Sequence, residues 1–198
     1  MKKIILLVLI TSITIGMISC TSNTNSTTTT NKETESEDTT TDKEENEDTN
    51  EKKEEMKEIS LSETISNDSF DLTLNNVELT YDVLPEDVSG FYTHYQADQG
   101  KVYINIDVDI KNNQKQNLDC DRIMDVGADY NNGYTYRASP VVEDSSTGFT
   151  YANITSIAPL ETKGMRYLID CPQEVEETDN PLVVNFDLNG ETYSYTIR

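Results

Sequence analysis

Between Lys101 and Lys111 every second residue is aliphatic. Val102, Ile104, Ile106, Val108 and Ile110 fall on one side of an extended chain; Tyr103, Asn105, Asp107 and Asp109 fall on the other. A period of two sustained this long cannot be a helix and fits a strand with one face in a core. Asn112-Asn113-Gln114-Lys115 then turns the chain. Earlier, Phe70, Leu72 and Leu74 alternate with Asp71 and Thr73, and the alternation resumes out of phase at Val77, Leu79, Tyr81 and Val83. That slip at Asn75-Asn76 predicts a bulge, or a break between two short strands.

The same rhythm continues to the C-terminus. Leu118 to Tyr130 reads as strand with an irregular stretch at Asp121-Arg122, and Asn131-Asn132-Gly133 turns into Tyr134-Thr135-Tyr136. Phe149 to Ile157 and Met165 to Cys171 read as strands, separated by a turn flanked by Pro159 and Gly164. Leu182–Leu188 and Glu191–Ile197 form a hairpin through Asn189-Gly190, a dipeptide suited to the positive φ angles of a type I′ turn. No window predicts a helix longer than two turns. Seven to nine short strands without crossover helices predict an all-β, antiparallel immunoglobulin-like β-sandwich over residues 59–198.

Two stretches carry a family likeness. The run Tyr95-Gln-Ala-Asp-Gln-Gly-Lys-Val-Tyr-Ile-Asn-Ile-Asp-Val-Asp-Ile-Lys-Asn112 resembles the opening signature of the domain-of-unknown-function family 4352. So does Ile157-Ala-Pro-Leu-Glu-Thr-Lys-Gly164 followed by a strand ending Asp170-Cys-Pro172. The resemblance spans residues 68–197. It implies a bacterial extracytoplasmic lipoprotein with a telokin-like, immunoglobulin-type sandwich. That family has no established catalytic residues, so none are carried over.

The N-terminal part is of a different kind. Lys2 and Lys3 precede a mostly apolar run, Ile4 to Ile18, shorter than the roughly 20 residues that span a bilayer and typical of a signal peptide. It ends in Met17-Ile18-Ser19-Cys20, which resembles the bacterial lipobox. That resemblance implies removal of residues 1–19, a diacylglycerol on the Cys20 thiol, and anchoring on the extracytoplasmic side of the cell membrane; two acyl chains hold where one is marginal. Ordinary secretory cleavage fits less well, because Met17 breaks the small-residue pattern. From Thr21 to Glu55 there is no apolar residue. Such a segment cannot bury enough surface to offset chain entropy, so residues 20–58 are predicted to be a disordered tether with a span of roughly 35 Å. Lys52 to Glu58 could form a helical turn.

Charge narrows the function. Residues 59–198 hold 24 acids against eight bases. This excess repels phosphate backbones and argues against nucleic-acid binding. It also provides no basic stripe for an anionic membrane surface. The absence of Trp and the single histidine, His94, thin the catalytic inventory.

Four sets of residues are candidates. Cys120 and Cys171 would suit an extracytoplasmic disulfide, closing a loop of about 50 residues worth on the order of 4 kcal/mol. They could equally be separately buried thiols. Asp107 and Asp109 share a strand face, with Asp119, Asp121 and Asp125 following, but no stretch meets calcium-loop spacing. Asp129-Tyr130-Asn131-Asn132-Gly133 places glycine where a ligand belongs. No metal or cofactor is implied. Paired acids could also serve glycoside hydrolysis. Phe91, Tyr92, His94 and Tyr95 crowd a connection between Leu84 and Gly100, either as a contact loop or as a cover over the sandwich edge. The resulting expectation is a non-catalytic binding module on a lipid anchor, with an envelope protein or glycan as partner. A carbohydrate or cell-wall glycan binder using Phe91–Tyr95 is the alternative, and a hydrolase with paired carboxylates a weaker one.

Overall fold

The structure, a computed structural model, describes residues 56–198. The expected signal peptide, Cys20 and the expected tether up to residue 55 lie outside them.

The strands in chain order are β1 (Lys57–Glu58), β2 (Thr64–Ser66), β3 (Phe70–Thr80), β4 (Asp82–Val83), β5 (Tyr95–Gln96), β6 (Lys101–Asn112), β7 (Leu118–Asp119) and β8 (Asp125–Tyr130). They continue with β9 (Tyr134–Arg137), β10 (Ser139–Asp144), β11 (Gly148–Tyr151), β12 (Ser156–Ile157), β13 (Thr162–Pro172), β14 (Leu182–Leu188) and β15 (Glu191–Thr196). Nine of these have four residues or more, within the seven to nine that the alternation predicts. A five-stranded sheet in the order β1-β15-β14-β8-β9 faces a six-stranded sheet in the order β11-β10-β13-β6-β3-β2. The described residues therefore form a β-sandwich, antiparallel except for the β1–β15 pair.

β6 lies inside the larger sheet, between β3 and β13. Its aliphatic row from Val102 to Ile110 is fully buried, and each such side chain contributes about 1.5–3 kcal/mol. β3 is one strand carrying a bulge: Leu74 pairs with Val108 and Asn76 with Asp107, leaving Asn75 without a partner in register. The extra residue keeps Val77 and Leu79 on the core side with Phe70, Leu72 and Leu74. Asn189 and Gly190 have φ of 51° and 89°, as a type I′ turn requires.

Two expectations are corrected, and one strand was not foreseen. Lys57–Glu58 pairs in parallel with β15 instead of forming a helical turn, because burial of Ile59 draws the segment against the sheet. Phe149–Ile157 is broken by a 3₁₀ turn at Ala152–Ile154, whereas the 3₁₀ turn at Cys120–Arg122 is the irregular stretch expected within Leu118–Tyr130. β10 was not legible because Val142 enters the main core while Val141 enters a second cluster; burial on both faces erases the alternation.

Candidate functional site

The connection from Tyr81 to Gly100 forms a strap over the outer face of the six-stranded sheet. β4 and β5 pair antiparallel at its base, Asp82 with Gln96 and Val83 with Tyr95. Val83 is buried with Val141, Phe149 and Leu168, and Tyr95 and Tyr103 pack against this small second core. The Tyr95 and Phe149 rings lie 5.5 Å apart in tilted contact. The strap thus covers apolar side chains that an uncovered sheet would expose.

Its far end is stitched to the free edge of β11. The Thr93 hydroxyl donates to the Thr147 carbonyl at 2.7 Å and accepts from the Phe149 N–H at 3.0 Å. Gly148 makes the close approach feasible. A Cβ there would lie 2.8 Å from the Thr93 carbonyl oxygen and 3.0 Å from Pro85 Cγ, and its φ of +82° already favours glycine. His94 Nδ1 is 2.6 Å from Asp82 Oδ1, and the Tyr92 and His94 rings meet edge to face at 6.0 Å. The strap begins at Tyr81, whose hydroxyl donates to Glu176 on the short helix α1 (Glu174–Glu177).

The four ring residues singled out in the sequence therefore part company. Tyr95 packs inward, Tyr92 is half-buried beside Gly148, and His94 is exposed but tied to Asp82. Phe91 projects into solvent, 86% exposed.

Beneath the strap lies an ionic cluster of which the sequence showed one member, Asp107. The register sets Arg166 on β13 opposite Asp107 on β6 and Val141 on β10, placing Glu143 one row away. Arg166 is buried and pairs with Asp107 and, at 2.5 Å, with Glu143. Glu143 reaches it by lying across Gly164, the one residue type that leaves its carboxylate room. Burial is the main cause that raises both carboxyls above their ordinary values; Arg166 opposes it, and the charges of Glu86 and Asp109 add to it. A cavity of about 240 Å³ opens between the strap and the β10–β11 turn, lined by Pro85, Glu86, Asp87, Glu143, Asp144 and Gly148 among others. The hydroxyls of Ser146 and Thr147, with their N–H groups, hold the Asp144 carboxyl down to about 2.

The other candidates lie elsewhere. Of the two arrangements open to Cys120 and Cys171, the structure holds them as separately buried free thiols. Asp129 accepts the Gly133 N–H at 2.8 Å and so staples its own turn. No group of three or more His, Cys, Asp or Glu side chains among the described residues is arranged to hold a metal ion. No helix among them is long and apolar enough to cross a membrane.

These features define a β-sandwich with one face strapped over an acidic cavity. The chain belongs to the family of an uncharacterized β-sandwich protein from Clostridium difficile 630. The two are 49% identical over 73% of this chain and 96% of that one, and superpose with a TM-score of 0.72. A conserved hypothetical protein from Bacillus anthracis aligns at 18% identity over 70% of this chain and 94% of its own, with a TM-score of 0.49. No protein-family model and no curated protein matches the chain, so the likeness to family 4352 rests on the residues quoted for it.

Proposed function

We propose that this protein is a membrane-anchored extracytoplasmic lipoprotein whose sandwich is a non-catalytic binding module, with the strap as its contact surface. The anchor and location rest on the Met17-Ile18-Ser19-Cys20 motif and the apolar-free segment behind it. The observation that carries the binding reading is Phe91. Every other ring of the strap is packed or tied down, whereas Phe91 stands 86% exposed two positions before Thr93, which is hydrogen-bonded to β11. Aromatic side chains are common anchors of interfaces. Asp107 and Glu143, the facing carboxylates of the cluster, are both committed to Arg166, which leaves neither free to act as acid or base.

The test uses the full chain in its own membrane. Clickable fatty acid should label the wild type and not Cys20→Ala, which should accumulate as precursor. Cross-linking and pull-down from the envelope should recover a partner whose retention is lost in Phe91→Ala, with the melting temperature unchanged. Undiminished label on Cys20→Ala would refute the anchor. Retention indifferent to Phe91, or binding of the strap to arrayed glycans instead, would refute the protein-binding reading.

A further inference from the structure

The chemistry of the strap specifies its partner more closely. Tyr81, Leu84, Val88 and Phe91 are 43, 46, 48 and 86% exposed, a concentration of large apolar groups on one short segment. Isolated exposed apolar residues are ordinary, but a group of them signals an interaction surface. Beside this apolar edge, the cavity carries the carboxylates of Glu86, Asp87, Glu143 and Asp144 and no basic side chain. Residues 81–100 contain no Lys or Arg at all. Arg166 beneath is occupied by Asp107 and Glu143. The like charge of Glu86 and Asp109 bears on the same two carboxyls.

A cation entering the cavity would therefore relieve repulsion as well as gain attraction. A bare metal ion would make no use of the apolar edge. At about 240 Å³ the cavity falls below the roughly 300–1,000 Å³ typical of small-molecule sites. One basic side chain borne on a longer chain uses both features. We propose that this face docks a Lys- or Arg-bearing peptide segment of an envelope protein, one basic side chain entering the cavity and its apolar neighbours lying on Leu84, Val88 and Phe91. This rests on the binding-module reading and names the class of its partner.

The probe is a fluorescein-labelled peptide with two arginines and two leucines in a Gly/Ser background, alongside its Arg→Glu counterpart. Binding to the full chain in phosphatidylcholine nanodiscs is followed by anisotropy against empty nanodiscs. The arginine peptide should bind, more weakly as salt rises. Glu86→Gln/Asp87→Asn should weaken it about tenfold, as should Phe91→Ala. Asp125→Asn/Asp187→Asn, the same charge change on the other sheet, should alter it by less than about twofold. Unchanged melting temperatures confirm that each variant folds. Equal loss from the control pair would reduce the effect to net charge and overturn the proposal. So would binding of the glutamate peptide, or displacement by spermidine or Ca²⁺ at concentrations equal to the peptide. If no peptide binds but Phe91-dependent retention of an envelope partner persists, this inference falls and the binding-module reading stands.

Discussion

The Thr93 hydroxyl sits 3.0 Å from the Phe149 backbone nitrogen and takes the place that a neighbouring strand would hold on β11. The Thr93 N–H reaches the Thr147 carbonyl at 2.7 Å, the same oxygen that receives its hydroxyl proton. One residue thereby satisfies an edge that would otherwise offer open hydrogen-bonding groups to another chain. The strap is thus an edge cover as well as a candidate contact surface. The two roles fall to different side chains: Thr93 and Tyr95 hold, and Phe91 projects.

Thr93→Val keeps the shape and removes the hydroxyl. It should lower stability by about 1 kcal/mol, the value of a typical partly exposed hydrogen bond, and leave the Phe149 N–H open. Urea titration checks the first effect and light scattering after size exclusion the second. Full stability with no gain in association would show that the hydroxyl does not guard the edge.

Arg166→Met should be far more costly. It strands Asp107 and Glu143 as half-buried carboxylates, at a cost of about 3 kcal/mol near neutral pH. Both folded carboxyls already titrate above their ordinary values. The stability such groups contribute is full below their unfolded pKa and is lost as pH rises through the folded one. Removing Arg166 enlarges that loss. The deficit relative to wild type should therefore be greater at pH 7.5 than at pH 4.5 by urea midpoint, and a deficit independent of pH would contradict the account.

Asp144 works in the opposite sense. Its folded carboxyl is depressed to about 2 from an ordinary 3.8 by the donors of Ser146 and Thr147. Its contribution is present above pH 4 and fades as pH falls toward 2. Asp144→Asn should flatten this acid limb in melts taken between those values. Because the side chain is solvent-facing, the difference should be small. An acid limb identical to wild type would remove Asp144 from the explanation.

The two domain cysteines should be inert in the native state. Burial pushes both thiols up to about 11, so at pH 8 they are protonated as well as covered. In a Cys20→Ala chain, a colorimetric thiol reagent should find neither before unfolding and both afterwards. Detection of neither under denaturing, non-reducing conditions would mean that they are bridged after all.

Local pattern and tertiary arrangement divide this protein unevenly. The long strand β6, the bulge at Asn75 and the Asn189-Gly190 hairpin were readable because each depends on neighbours a few residues apart. Side-chain period, phase and turn conformation are local properties of a chain. The sandwich class follows from their accumulation. The lipobox likeness at Cys20 and the apolar-free segment from Thr21 to Glu55 are also purely local, and sequence is where they are visible.

What joined distant residues was decided by register alone. Arg166 is 59 positions from Asp107 and 23 from Glu143, and only the β10–β13–β6 ladder places the three on one face. The crowd of rings from Phe91 to Tyr95 was conspicuous in sequence, yet composition could not say which would face outward. That was settled by the free edge of β11, which captured Thr93, and by the small core of Val83, Val141, Phe149 and Leu168, which took in Tyr95. The same holds for the thiols. Cys120 and Cys171 are 51 positions apart in the chain and both enter one core, where each is buried as a free thiol. Spacing along a chain sets the direction of each side chain, whereas the pairing of strands sets its company, and the candidate site is made of company.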